Sequence, residues 1–323
     1  MTENIKIKDI IPVLKEKFEN AVKGNIGPGI LLSGGLDTSI VTAVASKYVD
    51  LQGVTVAFSP APNPDVVYAN ELAALFGVDH EVVYFDQNVL YDSLREVVRI
   101  LRCFDPMELR NSVAIYVGLK RLSELGVKEV MTGDAADELF AGYSFFFNKP
   151  SGEVKKGLEN MWAVMQFSSI DLADALGLRA CLPFTEPMFA DYAKSLGVEL
   201  KIGKKDDVTY GKWVLRKAYE DILPPNLIWR VKHPIEAGCG TAILPEYFHE
   251  KTDDDYFSSK KELYLAKDGV RIRDEEHLHY YEIYRSIYGK PQSSGLTNKT
   301  CPDCRSNVPD TATFCKICGA YPI

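Results

Sequence analysis

The chain has 323 residues, 46% of them apolar, and its 37 basic and 45 acidic side chains leave a formal net charge of −8. That length and composition support one large domain plus something small, and they exclude a chain too polar to bury a core. The acidic balance excludes attraction to nucleic acid by overall charge, and with no apolar run of 18 residues and no signal-like start the sequence predicts no membrane span and a cytoplasmic protein.

Ile10, Ile11, Leu14, Phe18 and Val22 recur at helical spacing, so a helix is expected over Asp9 to Lys23, stopped by Gly24, Gly27 and Pro28. Gly29 to Leu32 reads as a short buried strand. The loop Ser33-Gly34-Gly35-Leu36-Asp37-Thr38-Ser39 follows it and leads into a helix carrying Ile40, Val41, Val44, Ala45 and Tyr48. Strands are then expected at Gly53–Phe58, Glu81–Phe85 and Val127–Thr132. Helices are expected at Pro64–Phe76, Asn88–Leu101 and Asn111–Leu125. Such alternation predicts a doubly wound parallel sheet of Rossmann-like type, whose ligands sit beyond the carboxyl ends of the strands. From about Val154 to Gly289 helical patterns dominate, as in Tyr210–Ile222 and Asp274–Tyr288. The expected organisation is an α/β core over 1–150, a helical lobe over 151–289, a polar linker over 290–300 and a cysteine-bearing unit over 301–323.

The loop from Ser33 to Ser39 has the composition of an anion site. Glycines let the backbone approach an anion, hydroxyls add donors, and a helix N-terminus favours negative charge. Asp37 is out of place beside phosphates unless a divalent cation lies between, so it reads as a Mg²⁺ ligand; the bland alternative is a tight turn with Asp37 as a cap. The Walker pattern GxxxxGK[ST] is absent. A second loop, Gly133-Asp134-Ala135-Ala136-Asp137-Glu138, places three carboxylates at another strand end, between apolar Val130, Met131, Leu139 and Phe140. Carboxylates emerging at a core edge favour a metal or catalytic role over a solvated surface.

SGGLDTS followed by GDAADELFAGY resembles the synthetase domain of glutamine-dependent asparagine synthetases, members of the N-type ATP pyrophosphatases (PP-loop enzymes, with an adenine nucleotide alpha hydrolase-like fold), whose usual second motif is SGEGSDELFGGY. The likeness runs over roughly residues 10 to 290 and includes Arg179–Phe184, Gly211-Lys212 through Ala218, Trp229–Lys232 and His279–Tyr284. The resemblance implies an enzyme that uses ATP and Mg²⁺. Ser33, Gly34, Gly35, Thr38 and Ser39 would cradle pyrophosphate, and Asp37 and Asp137 would hold Mg²⁺. The backbone at Val56, Ala57, Thr132 and Gly133 would face the nucleotide. Arg110 and Lys232 would stabilise charge, and Asp134, standing where the family commonly has glutamate, would steer or deprotonate the nucleophile. The implied reaction is AMP-forming: a carboxylate is activated as an acyl-adenylate and taken by ammonia or another amine.

Several features depart from the family. The sequence starts Met1-Thr2-Glu3 rather than with a glutamine-hydrolysing cysteine, so free ammonia, a separate glutaminase or another amine is expected. Pro106-Met107-Glu108 replaces a stretch where the family often has threonines, which puts aspartate as substrate in question. A second reading is a PP-loop enzyme that adenylates tRNA for thiolation or amination. Cys103 is the only thiol near Arg110 that such chemistry could use, and it reads as a core thiol. A third is a nucleotide-sensing or scaffold protein with a decayed site, against which Asp37, Asp137 and Lys232 argue.

Four of the seven cysteines form Cys301-Pro-Asp-Cys304 and Cys315-Lys-Ile-Cys318, two knuckles ten residues apart. This is the spacing of a tetrahedral Zn²⁺ site in a zinc ribbon. A 23-residue unit has too little core to fold alone, so the metal is expected to supply its stability. Its expected role is a structural or protein-docking knob, with RNA contact as the sharper alternative. A homodimer is left open.

Overall fold

The computed structural model describes residues 2–59, 61–292 and 299–323, with the side chains of the first helix described from residue 7. Met1, Pro60 and residues 293–298, the last within the expected linker, lie outside that description. The chain forms two compact units interleaved in sequence. The first comprises Met1–Thr55, Pro64–Val83 and Gly118–Pro234; the second comprises Val56–Asn63, Tyr84–Val117 and Ile235–Ile323.

Five strands make the central sheet: β1 (Gly29–Leu31), β2 (Gln52–Phe58), β3 (Asp79–Phe85), β4 (Glu129–Met131) and β5 (Arg179–Cys181), in the order β3-β2-β1-β4-β5. The pairings are parallel, with Leu31 opposite Val54, Gly29 opposite Val130 and Glu129 opposite Arg179. This is the doubly wound sheet expected from the alternation. Strand order reverses between β1 and β4, so the loops leaving their carboxyl ends meet at the topological switch point, where ligands bind in such sheets. Those are the two loops singled out in the sequence.

The expected helix over Asp9–Lys23 extends over Thr2–Gly24 and buries Leu14, Phe18, Ala21 and Val22. Phe18 meets Phe184 at 4.5 Å and Phe189 at 4.9 Å between ring centroids, at the centre of the first unit's core.

Two regions differ from the helical reading of residues 154–289. β5 is three residues long and opens on an exposed arginine, too short to print an alternation. The segment 202–211 is an antiparallel hairpin, β6 (Ile202–Lys205) with β7 (Val208–Gly211), so Tyr210 is in a strand and the helix after it is Trp213–Tyr219. Asp206 and Asp207 both have positive φ, 50° and 62°, as a two-residue hairpin turn requires. Lys-Lys-Asp-Asp between alternating residues was the available signal, masked by charge.

In the second unit the helix expected from Asn111 begins at Pro106 and ends at Glu124, its last turns belonging to the first unit. Asp105 caps it, accepting from Met107 N at 3.1 Å, and proline occupies the first helical position. Phe104 packs against His277, Tyr281 and Tyr284 with centroids 5.0–5.2 Å apart. The strands β8 (Lys299–Thr300) and β9 (Asn307–Val308) pair in the cysteine-bearing segment. Among the described residues no helix is long and apolar enough to cross a membrane.

Candidate active site and cysteine cluster

The loop after β1 turns on Gly34 (φ 62°), where any side chain would collide with the backbone of Tyr68. Its hydroxyls are engaged locally. Ser33 Oγ lies 3.1 Å from Thr38 Oγ1, and Ser39 Oγ donates to Gly35 O at 2.8 Å. Leu36–Ala45 is the helix that starts there, with Asp37 in its first turn. Gly133, after β4, lies so close that a Cβ would stand 2.7 Å from Asp37 Cβ and 3.1 Å from Thr38 N. Glycine at 133 therefore lets the two loops touch.

The three carboxylates of the second loop find three different partners. Asp134 Oδ2 accepts from Thr132 Oγ1 (2.8 Å) and Ser169 Oγ (2.5 Å). Burial pushes the Asp134 carboxyl above its ordinary range despite these bonds. Glu138 accepts from Tyr143 OH at 2.6 Å. Asp137 turns toward two lysines: Lys232 Nζ donates to its Oδ2 at 2.5 Å and Lys212 Nζ stands 2.8 Å from its Oδ1.

Lys212 joins the loops. Its side chain is 3% exposed, and Nζ also donates to both oxygens of Asp37, at 2.7 and 2.6 Å. Two carboxylates and two ammonium groups thus form one cluster at the switch point, with Lys212 and Asp137 buried, Asp37 half-buried and the Lys232 side chain 36% exposed. Burial raises Asp37, and the pull of Lys212 does not cancel it. Burial acts on Asp137 too, but there Lys212 and Lys232 together outweigh it and hold the carboxyl down at about 2. Lys232 is raised: burial lowers it, and Asp137 and Asp37 more than compensate.

The fit of a divalent cation can be judged from the donors. Asp137 Oδ1 is buried and has no hydrogen bond, its approach to Lys212 being an ion pair without hydrogen-bond geometry. Hard carboxylate oxygens from two touching loops are the donors Mg²⁺ takes, and the ion would displace the Lys212 ammonium that lies between them.

Of the residues expected from the sequence, the first unit brings together Ser33, Gly34, Gly35, Asp37, Thr38, Ser39, Thr132, Gly133, Asp134, Asp137 and Lys232. Val56, Ala57 and Arg110 belong to the second unit, where Arg110 Nε is paired with Glu276 at 3.2 Å. Lys212, Ser169 and Arg230 carried no role in the sequence reading. Arg230 donates to Ser33 O (3.3 Å) and Asp65 Oδ1 (2.5 Å) and lies over the Tyr68 ring. Lys212 and Arg230 lie inside stretches already aligned to the family, which was the available signal. Ser169 had none, because its partner is 35 residues away.

Ala135 and Ala141 have left-handed backbones, φ 76° and 52°, at the two places where the family motif SGEGSDELFGGY has glycine and this chain has alanine. A non-glycine residue there costs roughly 1–2 kcal/mol. Ala135→Gly is expected to be neutral or stabilising by up to about 1 kcal/mol, because strain relief offsets the lost methyl packing. Ala135→Val should cost about 2 kcal/mol or more. Thermal unfolding of both variants checks the order; a more stable valine variant would contradict it.

In the second unit the Sγ atoms of Cys301, Cys304, Cys315 and Cys318 are buried and lie within 4.8 Å of one another. Cys301–Cys318 and Cys304–Cys315 are each 3.7 Å apart. Sulfurs about 2.3 Å from a tetrahedral Zn²⁺ stand about 3.8 Å from each other, so the set is compatible with that ion. The knuckles are tied down by backbone bonds: Phe104 N to Ile317 O at 2.6 Å and Arg271 N to Asp303 O at 2.7 Å. Arg273 Nη2 also donates to Cys318 O at 2.7 Å. The other three cysteines are buried and outside any disulfide, and burial pushes the Cys103 thiol far up, which makes it a poor nucleophile.

Sheet order and loops define a doubly wound α/β protein, with a four-cysteine segment compatible with a zinc ribbon. More particularly, the family model for asparagine synthase matches residues 12–169 and 167–299, and the chain belongs to that family. An asparagine synthetase [glutamine-hydrolyzing] of Asparagus officinalis is 31% identical over 252 residues, covering 71% of this chain and 42% of that protein. One from Zea mays is 27% identical over 310 residues, covering 87% of this chain and 51% of that protein. The chain thus spans about half the length of the curated relatives it matches. A subunit of tRNA methyltransferase from Methanocaldococcus jannaschii has 16% identity and a TM-score of 0.30, covering 63% of this chain and 92% of that one, a likeness too slight to carry weight.

Proposed function

We propose that the protein is an ATP-dependent, AMP-forming ligase that activates a carboxylate for attack by ammonia or another amine. The observation that carries this reading is the ion cluster of Asp37, Asp137, Lys212 and Lys232 at the switch point, between the hydroxyl-rich loop and Gly133. Asp37 and Asp137 would hold Mg²⁺, which when bound supplies charge neutralisation at the phosphates.

A carboxylate oxygen attacks the α-phosphorus of ATP. The bond to the α,β-bridging oxygen breaks, and pyrophosphate leaves with the electron pair. Ser33, Gly34, Gly35, Thr38 and Ser39 bind the departing group through hydroxyls and N–H groups at the helix start. The backbone at Thr132 and Gly133 faces the nucleotide. Lys232 and Lys212 bring preorganised positive charge to where negative charge grows. Arg110 is the anion-binding candidate of the second unit. The amine nitrogen then attacks the acyl carbon, AMP leaves with the bonding pair, and Asp134 takes the amine proton. Its raised pKa suits a proton acceptor, and Thr132 and Ser169 orient it.

The four cysteines hold one structural Zn²⁺. The protein works in a reducing cytoplasm, as its single, buried thiols outside any disulfide suggest.

Exchange of labelled pyrophosphate into ATP, run across a panel of carboxylates, tests the reading. One acid should support exchange, its oxygen-18 should appear in AMP, and Asp37→Ala should abolish both. ADP and orthophosphate as products, or unchanged exchange in Asp37→Ala, would sink it.

A further inference from the structure

The cysteine segment lines a cavity. A space of about 350 Å³ opens within the second unit between the start of the helix Pro106–Glu124, the start of the helix Glu275–Tyr288 and the second knuckle. Arg110 and Arg273 face it from the body of the unit, and Asp303, Gly319, Ala320 and Tyr321 from the cysteine segment. Gly319 makes the close approach possible: its φ is 76°, and a Cβ there would stand 2.7 Å from Asp105 Cγ.

The charges in this cavity are unequally committed. Asp105 caps one helix through Met107 N, and Asp274 caps the other through His277 N at 2.8 Å. Asp303 Oδ1 faces Arg271 Nη1 at 3.5 Å. Each carboxylate therefore already serves a cation or a helix start. A guanidinium carries five N–H donors. Arg110 uses Nε on Glu276 and Pro106 O, and Arg273 uses Nη2 on Cys318 O. Donors remain on both. Met107 and Tyr321, 52% and 74% exposed, offer apolar surface at the rim. The size is that of a small-molecule site.

We propose that the cysteine segment is one wall of a binding site for a small carboxylic acid, held at its carboxylate by Arg110 and Arg273 and covered by Tyr321. The knuckle is then part of a ligand site and not only a docking knob, and its metal keeps the wall in place. The proposal shares Arg110 with the ligase reading but fails or holds separately from it, because binding is measured without ATP and the variants are at Arg273 and Tyr321.

The test is calorimetric titration of the metal-loaded full chain with glutarate, L-glutamate and, as a cationic match, cadaverine. Both acids should bind saturably at millimolar concentration and cadaverine should not. Arg273→Gln should weaken acid binding about tenfold, the loss of one charge-assisted hydrogen bond. Tyr321→Ala, a change at an exposed side chain, should weaken it severalfold at unchanged bound metal, which separates a lost contact from a lost wall. The proposal is overturned if neither acid binds, if cadaverine binds in their place, or if both variants bind the acids as the parent does.

Discussion

Lys212→Met is expected to destabilise the first unit by about 3–5 kcal/mol, the usual result of removing one partner from a buried ion cluster. Lys212 is 3% exposed and touches both Asp37 and Asp137, so its loss leaves two buried carboxylates with Lys232 alone. Denaturant unfolding should show the deficit, and its pH dependence identifies the cause. In the variant, Asp37 loses the ammonium that lowers it, so its folded pKa rises further. A group raised on folding stabilises fully below its unfolded pKa, about 3.9, and that contribution is lost as pH rises through the folded value. The deficit should therefore be larger at pH 8 than at pH 5, and Asp37→Asn in the same chain should recover part of it. Asp137 behaves oppositely in the parent protein. Held at about 2, it contributes stability that is present above its unfolded pKa and lost as pH falls below that value through about 2. A pH-independent deficit under about 1 kcal/mol would mean that Lys212 is not the electrostatic centre of the cluster.

Removing the metal is expected to have the second largest effect. The protein should carry one Zn²⁺ per chain, and a strong chelator should release it and expose four reactive thiols. Structural Zn²⁺ in small cysteine units contributes on the order of 10 kcal/mol to folding, far more than so short a segment gains from burial. After chelation, trypsin should cut at Lys299, Arg305 and Lys316, while the sheet keeps its far-ultraviolet signal. Cys315→Ser should reproduce this with the metal still in the buffer. Protein purified without metal, with all four thiols freely reactive and the segment still protease-resistant, would show that hydrogen bonds such as Phe104 N to Ile317 O suffice.

Both expectations rest on features that were unequally visible in the sequence. The cysteine knuckles were legible because their ligands are close in sequence and their spacing alone satisfies a tetrahedron. The loop from Ser33 to Ser39 was legible for a similar reason: strand, glycines, hydroxyls and helix start are consecutive. The helix start at Pro106 was readable from Asp-Pro and was missed, and the hairpin 202–211 was hidden by its charges. β5 is too short for a period to show.

What the sequence determined by itself is local or periodic. It set the alternation that makes a doubly wound sheet, the composition of the anion loop, the acidic character of the strand end at 133–138, and the metal-type spacing of the four cysteines. Tertiary structure decided which of three neighbouring carboxylates faces which partner. Asp134 went to Thr132 and Ser169, Glu138 to Tyr143, and Asp137 to Lys212 and Lys232. It also brought Lys212 to Asp37 across 175 residues of chain. The physical reason is that a buried charge must find its counter-charge in space. The pairing depends on sheet order and on the close approach of Gly133 to Asp37, and neither leaves a periodic trace along the chain.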